Sequence, residues 1–274
     1  MSKPAEPRIW NKKFPHISSV AAGADGTVYA SSLGRGVYAI DSQGDWRELV
    51  EQWPAGATVN RLAVIGGSLT ACTSDGIYRL REGCWESTDI AVPAYQLRVG
   101  EGGTMLAATQ YGLWRNLDDG WSSWAYAESV VYDLLYLPGF IIAGFDRGIA
   151  LYDRLTGEWA EFGLRVGVTS LGVYRGCLVG SGENGQLVVG TKRGGFAACG
   201  FDGLVIMGLI QKGRDLYVCS DKGLFRLGLW RDRVTLLPVR LGFPVADADW
   251  IGDTMVVATL FRGIQLVEKE SGEA

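Results

Sequence analysis

The residue types that most often carry catalysis are sparse in this chain. His16 is the only histidine among 274 residues, which excludes sites built on two imidazoles, including most zinc and copper sites. No nucleophile elbow, Walker loop or dinucleotide fingerprint occurs. The sequence therefore predicts no metal, no cofactor and no specific catalytic residue.

Carboxylates are the remaining candidates for chemistry. Asp133, Asp247 and Asp249 fall in apolar segments that recur along the chain. If these segments line a central channel, the carboxylates could bind a cation or act as acid and base. The alternative, which we favour, is solvation in a wet channel or pairing with Arg61 and Arg98, which lie on matching segments.

A second set of candidates precedes a glycine that recurs along the chain. The residue before this glycine is, in order, Arg35, Asp75, Tyr111, Arg147, Asn184, Lys222 and Arg262. Four of the seven are cationic in an acidic chain. If they point inward, they form a positive ring suited to a carboxylate or phosphate. The alternative is that a polar residue before glycine is ordinary turn chemistry.

Aromatic residues are expected on the same surface. Arginine beside exposed aromatic side chains is the composition of binding hot spots, although several of these rings could simply pack the loops down. The candidate ligand-binding residues are Arg35, Trp53, Tyr95, Tyr111, Arg147, Lys222, Phe261 and Arg262, and the candidate channel residues are Arg61, Asp133 and Asp247.

These candidates are placed by an internal repeat. Its turn glycines are Gly36, Gly76, Gly112, Gly148, Gly185, Gly223 and Gly263, at spacings of 40, 36, 36, 37, 38 and 40 residues. In the fifth copy Gly194 also precedes an apolar run, but Gly185 keeps the period even. A fixed period in this range indicates a repeat architecture.

Each copy contains four short apolar segments separated by polar or glycine-rich turns. These lengths suit strands, and no segment sustains the periodicity of a long amphipathic helix. Four antiparallel strands in each of seven copies predict a single all-β domain over residues 1–274, a seven-bladed β-propeller. The seventh copy lacks a fourth strand, so we expect the segment 8–14 to pair into the last blade and close the ring.

Composition limits the partners and the compartment. The net charge is −4 and the pI about 5.2, which predicts neither a nucleic-acid partner nor a membrane partner. Residues 1–7 and 269–274 are expected to be flexible tails. The five cysteines are scattered without a C-x-x-C pair, and Cys72 and Cys219 are predicted to pack as small buried residues. With no signal-peptide core or apolar run of membrane length, the sequence predicts a cytoplasmic protein.

The repeat resembles a known superfamily. Its consensus is a V-x-x-L run, a glycine turn, L-x-[VA]-[AG]-[ST]-x-x-x-G-[ILV]-[YFW] and then a tryptophan. This pattern resembles the β-propeller superfamily, and within it the blades of two-component-regulator propellers and YVTN-like repeats. The signatures of WD40 and kelch blades are absent. The resemblance implies a fold but no catalytic residues, because propellers host both binding and catalysis.

Three functions remain open from the sequence. The first is a non-catalytic scaffold that holds a peptide or protein segment with an anionic group at one asymmetric site over the channel mouth. The second is an enzyme of lyase or hydrolase type, acting on a small molecule in the channel through Asp133 or Asp247. The third and weakest is carbohydrate binding. Loop residues that differ at every blade favour one site over several equivalent ones.

Overall fold

The computed structural model describes residues 9–10, 14–117, 120–231 and 233–268. The predicted tails, 1–7 and 269–274, lie outside the described residues. Within the described ranges no helix is long and apolar enough to cross a membrane.

Seven four-stranded antiparallel sheets make up the described chain, as the repeat predicts. One short 3-10 helix, Glu101–Gly103, lies in the third copy. The strands are β1 (Ile9–Trp10), β2 (Ile17–Ala22), β3 (Val28–Ser32), β4 (Gly36–Ile40), β5 (Trp46–Glu48), β6 (Val59–Ile65), β7 (Ser68–Thr73), β8 (Gly76–Arg81), β9 (Cys84–Ser87), β10 (Ala94–Val99), β11 (Met105–Thr109), β12 (Gly112–Leu117), β13 (Gly120–Ala125), β14 (Val131–Tyr136), β15 (Phe140–Phe145), β16 (Gly148–Asp153), β17 (Trp159–Gly163), β18 (Val168–Tyr174), β19 (Cys177–Gly182), β20 (Leu187–Gly190), β21 (Phe196–Cys199), β22 (Ile206–Lys212), β23 (Asp215–Ser220), β24 (Gly223–Trp230), β25 (Arg233–Leu241), β26 (Val245–Ile251), β27 (Thr254–Thr259) and β28 (Ile264–Val267).

The prediction of seven blades with four strands each is confirmed. Blades 1 to 6 are β2–β5, β6–β9, β10–β13, β14–β17, β18–β21 and β22–β25, each in sequential order. Blade 7 has the order β1-β28-β27-β26, so its fourth strand comes from the N-terminal end of the chain. Ile9 pairs with Gln265 and Trp10 with Ile264 in an antiparallel register.

Strand order gives the disc two distinct faces. The turns between second and third strands lie on the same face as the connections from blade to blade, and we call this the turn face. The turns between first and second and between third and fourth strands lie on the opposite face, which we call the hairpin face.

The core lies between neighbouring blades. The second strands are buried on both sides, and in β27 every residue from Met255 to Thr259 is buried. Trp85 in the fourth strand of blade 2 is 2% exposed, and its indole N–H donates to the carbonyl of Leu49 at 2.9 Å. Trp230 differs, because it ends the third strand of blade 6 and is 69% exposed.

A β-bulge recurs near the start of every innermost strand. The pairing register shifts between Ile17 and Ser19 in blade 1 and between Val131 and Asp133 in blade 4. A bulge re-aims the side chain that follows it. The residues that follow the seven bulges are Ser19, Arg61, Gln96, Asp133, Ser170, Gly208 and Asp247.

Candidate functional site

The repeat glycines shape the turn face. All seven have positive φ, from 64° at Gly263 to 150° at Gly223, which explains their spacing. Gly185 lies between the second and third strands of blade 5, whereas Gly194 lies between the third and fourth, so the even period identified the correct residue.

A hydroxyl group at the end of the second strand fixes several of these turns. In blade 3 the Thr109 hydroxyl donates to the carbonyl of Gly112 at 2.9 Å and accepts the backbone N–H of Tyr111 at 3.0 Å. Thr259 makes the same two bonds to Gly263 and Arg262. The residue before the glycine is therefore held in place through its own backbone.

In blades 2 to 6 the turn residue that is hydrogen-bonded to the start of the innermost strand is the one before these predicted residues. Its backbone N–H donates to the carbonyl of the residue that directly precedes the innermost strand, and in three of these blades it is an acid: Asp146 to Val130 at 3.0 Å, Glu183 to Gly167 at 2.9 Å and Asp221 to Val205 at 3.1 Å. The innermost position of the turn is thus acidic in blades 4 to 6. The candidates Arg147 and Lys222 follow these acids and lie one step farther from the innermost strand.

Two of the four predicted cations are paired with these acids. The Nε of Arg147 lies 3.6 Å from Asp146 Oδ1, and one of its terminal nitrogens donates to the Ser129 hydroxyl at 2.8 Å. Lys222 Nζ lies 3.1 Å from Asp221 Oδ2. Their charges are locally balanced.

The other two cations lie on adjacent blades and lean over aromatic rings. The Arg35 guanidinium is 5.9 Å from the Phe14 ring centroid in blade 1, and that of Arg262 is 5.5 Å from Phe243 in blade 7. Neither makes an ion pair within the described ranges. Beside them Leu33 is 55% exposed and Phe261 62% exposed.

The predicted aromatic residues divide into packed and exposed rings. Trp53 packs against Trp85 with ring centroids 4.9 Å apart, so it holds a blade connection in place. Tyr95 is half-buried and contacts Tyr132 at 5.6 Å. Tyr111 is 50% exposed. Of the predicted rings, Phe261 and Tyr111 are the most available to a partner.

His16 lies beside Phe261 at the junction of blades 7 and 1. The two ring centroids are 5.6 Å apart, and the His16 Nδ1 is hydrogen-bonded to the carbonyl of Leu260. The backbone of His16 accepts the N–H of Leu33 at 3.1 Å. The histidine therefore links the two exposed apolar residues of this junction, which fits a loop role.

The channel carboxylate of Asp133 joins three blades. Its Oδ1 accepts the Gln96 side-chain amide of blade 3 at 3.1 Å and its own strand's Leu134 N–H at 2.8 Å. Its Oδ2 accepts the Leu171 N–H of blade 5 at 2.8 Å. Arg98 lies 3.8 Å from Oδ1, as the pairing alternative predicts.

Asp247 has the same role where blade 7 meets blade 1. Its Oδ2 accepts the Ser19 hydroxyl at 2.6 Å and the Val20 N–H at 3.2 Å, and Arg61 lies 3.8 Å from Oδ1. Burial raises the pKa of the Asp247 carboxyl, while Arg61, Ser19 and two backbone N–H groups oppose the rise. Both oxygens of each carboxylate are engaged, which suits a structural link rather than acid–base chemistry.

Serine residues complete these links and were not among the predicted site residues. The Ser19 hydroxyl accepts the Leu62 N–H of blade 2 at 3.0 Å. The Ser170 hydroxyl accepts the Leu209 N–H of blade 6 at 3.0 Å. Both follow a bulge, and the residues at the seven equivalent positions differ in type, so the sequence carried no consistent signal for them.

Two of the cysteines pack as buried residues of the second strands, as predicted. Cys72 and Cys219 are 2% and 0% exposed. Burial raises the pKa of the Cys72 thiol to about 12 and also raises the pKa of Cys219. Among the described residues no group of three or more histidine, cysteine or acidic side chains could hold a metal ion.

Solved structures with a similar fold are diverse. No family model and no curated protein sequence matches the chain. The extracellular domain of a hybrid two-component system from B. thetaiotaomicron matches 97% of this chain at 17% identity with a TM-score of 0.74, and this chain spans 40% of that protein. Virginiamycin B lyase from Staphylococcus aureus matches 96% of this chain and 99% of its own at 14% identity, with a TM-score of 0.74. A chain of the mitotic checkpoint complex matches 97% of this chain and 94% of its own at 12% identity, with a TM-score of 0.73. At these identities the matches confirm the resemblance at the level of the propeller fold.

Proposed function

We propose that this propeller is a non-catalytic scaffold that holds one partner segment on its turn face, at the junction of blades 7 and 1. The main observation behind this proposal is that apolar and acidic residues are distributed unevenly around that face. Leu33 and Phe261 are both exposed there, on either side of His16, while the innermost turn positions of blades 4 to 6 are acidic. Val50, Tyr111, Val205 and Leu241 are also exposed on this face, but at the junction of blades 7 and 1 two exposed apolar side chains lie close to Arg35 and Arg262 in the chain, which supports a binding site there.

The charge of this junction supports a partner with an anionic group. Arg35 and Arg262 flank the exposed apolar residues and have no carboxylate partner within the described residues, whereas Arg147 and Lys222 do. Guanidinium groups recognise carboxylates and phosphates through paired hydrogen bonds. We therefore assign the orienting role to Arg35 and Arg262, with Phe261 and Leu33 supplying buried area.

The engagement of the channel carboxylates favours the scaffold over the enzyme. A general acid or base needs an oxygen that can reach a substrate proton. Asp133 directs both oxygens at neighbouring blades, and Asp247 directs Oδ2 at blade 1 while its Oδ1 accepts the Ala248 N–H of its own strand. The similar fold of a chain in the mitotic checkpoint complex, which is a protein assembly, supports a protein partner for this chain by analogy of fold only.

The test is selection of displayed random peptides against the full chain, followed by affinity measurements on variants. We expect the selected peptides to place an acidic residue next to an apolar one. Phe261→Ala should weaken their binding more than about tenfold, as expected of a central hot spot. Arg262→Ala should weaken binding and also reduce its dependence on salt concentration.

Matched controls come from elsewhere on the surface. Leu117 is 46% exposed on the hairpin face, and Arg47 is an exposed cation on β5. Leu117→Ala and Arg47→Ala should leave the affinity unchanged. Equal binding to the wild-type chain and to Phe261→Ala would overturn the assignment of the site. The cytoplasmic location is a separate prediction, to be checked by fractionation of cells that express the tagged chain.

A further inference from the structure

The hairpin face of blades 5 and 6 concentrates positive charge that the net charge of −4 conceals. Among the described residues of its turns, Asp215 is the one acid, and the sequence adds Asp232 between Arg231 and Arg233. None of the cations there lies within ion-pairing distance of a carboxylate in the described part of the chain. We call these exposed cations the basic sector: Arg175, Lys192, Arg193, Lys212, Arg214, Arg231 and Arg233.

The rest of this face has the opposite charge. Two of its cations are paired, Arg81 with Glu86 at 3.6 Å and Arg154 with Glu101 at 2.8 Å. The turns of blades 1 to 4 contain the acids Asp25, Asp41, Asp45, Glu82, Glu101, Asp153 and Glu158. The hairpin face is therefore divided into an acidic part and a basic sector, and such a field orients a charged partner.

A projecting hairpin stands within the basic sector. The third strand of blade 6, β24, has 8 residues and its partner β25 has 9, whereas the other third strands have 4 to 6 residues. Because every third strand starts at or just after the repeat glycine, two extra residues carry this hairpin about 7 Å beyond its neighbours.

The end of this hairpin is apolar on both sides. Leu229 is 39% exposed and Trp230 is 69% exposed. Successive residues of a strand point to opposite faces, so neither face of the tip is covered. The Arg231 guanidinium lies 5.8 Å from the Trp230 ring centroid. The tip thus combines a tryptophan, a leucine and adjacent cations.

We propose that the basic sector and the tip formed by Leu229 and Trp230 bind the surface of an anionic lipid bilayer. The cations pair with headgroups, and Trp230 enters the interfacial layer, where an amphipathic ring is most stable. Leu155 and Phe140, 93% and 40% exposed on the adjacent blade 4, are further apolar groups on the same face.

The apolar residues favour a bilayer over a nucleic acid. Single-stranded nucleic acids bind along a basic groove in which aromatic rings alternate with cations to stack on bases. The tip in the basic sector carries the exposed aliphatic residue Leu229, which gains by leaving water for lipid but cannot stack on a base. The sequence predicted no membrane partner because the net charge of the whole chain is −4, and this sum hides the separation of acidic and basic residues on the hairpin face.

The test is co-sedimentation of the full chain with vesicles of phosphatidylcholine, alone or mixed with phosphatidylserine. Binding should require phosphatidylserine and fall as salt rises. Reversing two cations with Lys192→Glu and Arg193→Glu should weaken binding more than about twentyfold, since each cation near an anionic surface contributes about fivefold. Brominated lipids should quench the fluorescence of the wild-type chain more than that of Trp230→Phe.

Control variants keep the test specific. Leu229→Ala should weaken binding several-fold, whereas Leu237→Ala, a 42% exposed residue lower in the same hairpin, should not. Arg47→Glu with Arg165→Glu, two exposed cations outside the sector, should retain vesicle binding. Circular dichroism confirms that each variant is folded.

The outcomes are distinct from those of the peptide experiment, because that site lies on the turn face. Vesicle binding that is absent, or that is lost equally in the sector variants and the Arg47/Arg165 variant, overturns the proposal. Binding of a single-stranded oligonucleotide that depends on Lys192 and Arg193, without binding to vesicles, would assign the sector to nucleic acid instead.

Discussion

At the scale of single residues, the side chains after the bulges bind the blades together. Asp133 accepts hydrogen bonds from blades 3, 4 and 5, and Ser19 connects blades 7, 1 and 2. A buried backbone N–H without a partner is costly, so each of these acceptors compensates for burial of the neighbouring strand. The residues that first suggested chemistry therefore act in assembly.

Replacing Asp133 with alanine should lower the free energy of unfolding by about 2–4 kcal/mol. The change leaves the buried Leu171 N–H without its acceptor and Arg98 without its carboxylate; because Arg98 is partly exposed, most of the loss comes from the buried N–H groups. Denaturant unfolding at neutral pH measures the loss.

Two further variants make this measurement specific. Asp133→Asn keeps one acceptor oxygen and should lose less stability than Asp133→Ala. Asp253, an exposed acid in a hairpin-face turn, should tolerate alanine within about 0.5 kcal/mol. If Asp133→Ala were as stable as Asp253→Ala, the channel carboxylate would be free for chemistry, and the enzyme hypothesis would regain support.

At the scale of the structural element, the turn glycine determines how tightly strands two and three connect. Gly148 has φ of 143°, and a Cβ atom there would lie 2.1 Å from the carbonyl oxygen of Phe162. Gly194 also has positive φ, 79°, but a Cβ atom there would meet nothing within 4 Å. A substitution at Gly148 therefore meets both backbone strain and a steric clash, whereas one at Gly194 meets backbone strain only.

We expect Gly148→Ala to cost about 3 kcal/mol or more, because strain and the clash with strand four add together. Gly194→Ala should cost about 1 kcal/mol, the ordinary cost of a left-handed conformation. Parallel urea titrations of the two variants provide the comparison. If both variants lost the same stability, the fourth strand would move aside readily, and the repeat glycine would be needed only for its positive φ.

The elements were predictable from the sequence because their signals are local and repeated. Glycine spacing and apolar runs identified all seven blades, including the choice of Gly185 over Gly194. The orientation of Arg147 was not predictable. Asp146 precedes it in the sequence, but only the hydrogen bond from Asp146 to Val130 places the acid nearer the channel.

The roles of the channel residues were predicted in part. Pairing of Asp133 with Arg98 was anticipated because both lie on innermost strands of neighbouring repeats, and both side chains were identified. The links through Ser19 and Ser170 depend on bulges that shift the register by one residue, and a bulge leaves no consistent residue type in this sequence. Side-chain direction therefore had to come from the structure.

At the scale of the whole molecule, charge and apolar surface are distributed unevenly over two faces. The turn face has an apolar junction with Arg35 and Arg262, and the hairpin face has a basic sector with a protruding tryptophan. A net charge of −4 describes neither. Two partners on opposite faces would not compete, so a scaffold of this kind could hold a protein segment while resting on a membrane.

The last strand of blade 7 tests how the whole ring is held together. Because β1 pairs with β28, deletion of residues 1–13 removes a strand and exposes the edge of β28. Exposed edges pair with other chains, so the truncated protein should unfold at lower temperature and form larger species in light scattering. Deletion of residues 1–7 alone leaves β1 in place and should change neither property. Adding a synthetic peptide of residues 8–14 should return the longer deletion variant to a monomer. If the two deletion variants behaved alike, β1 would contribute little to closure of the ring.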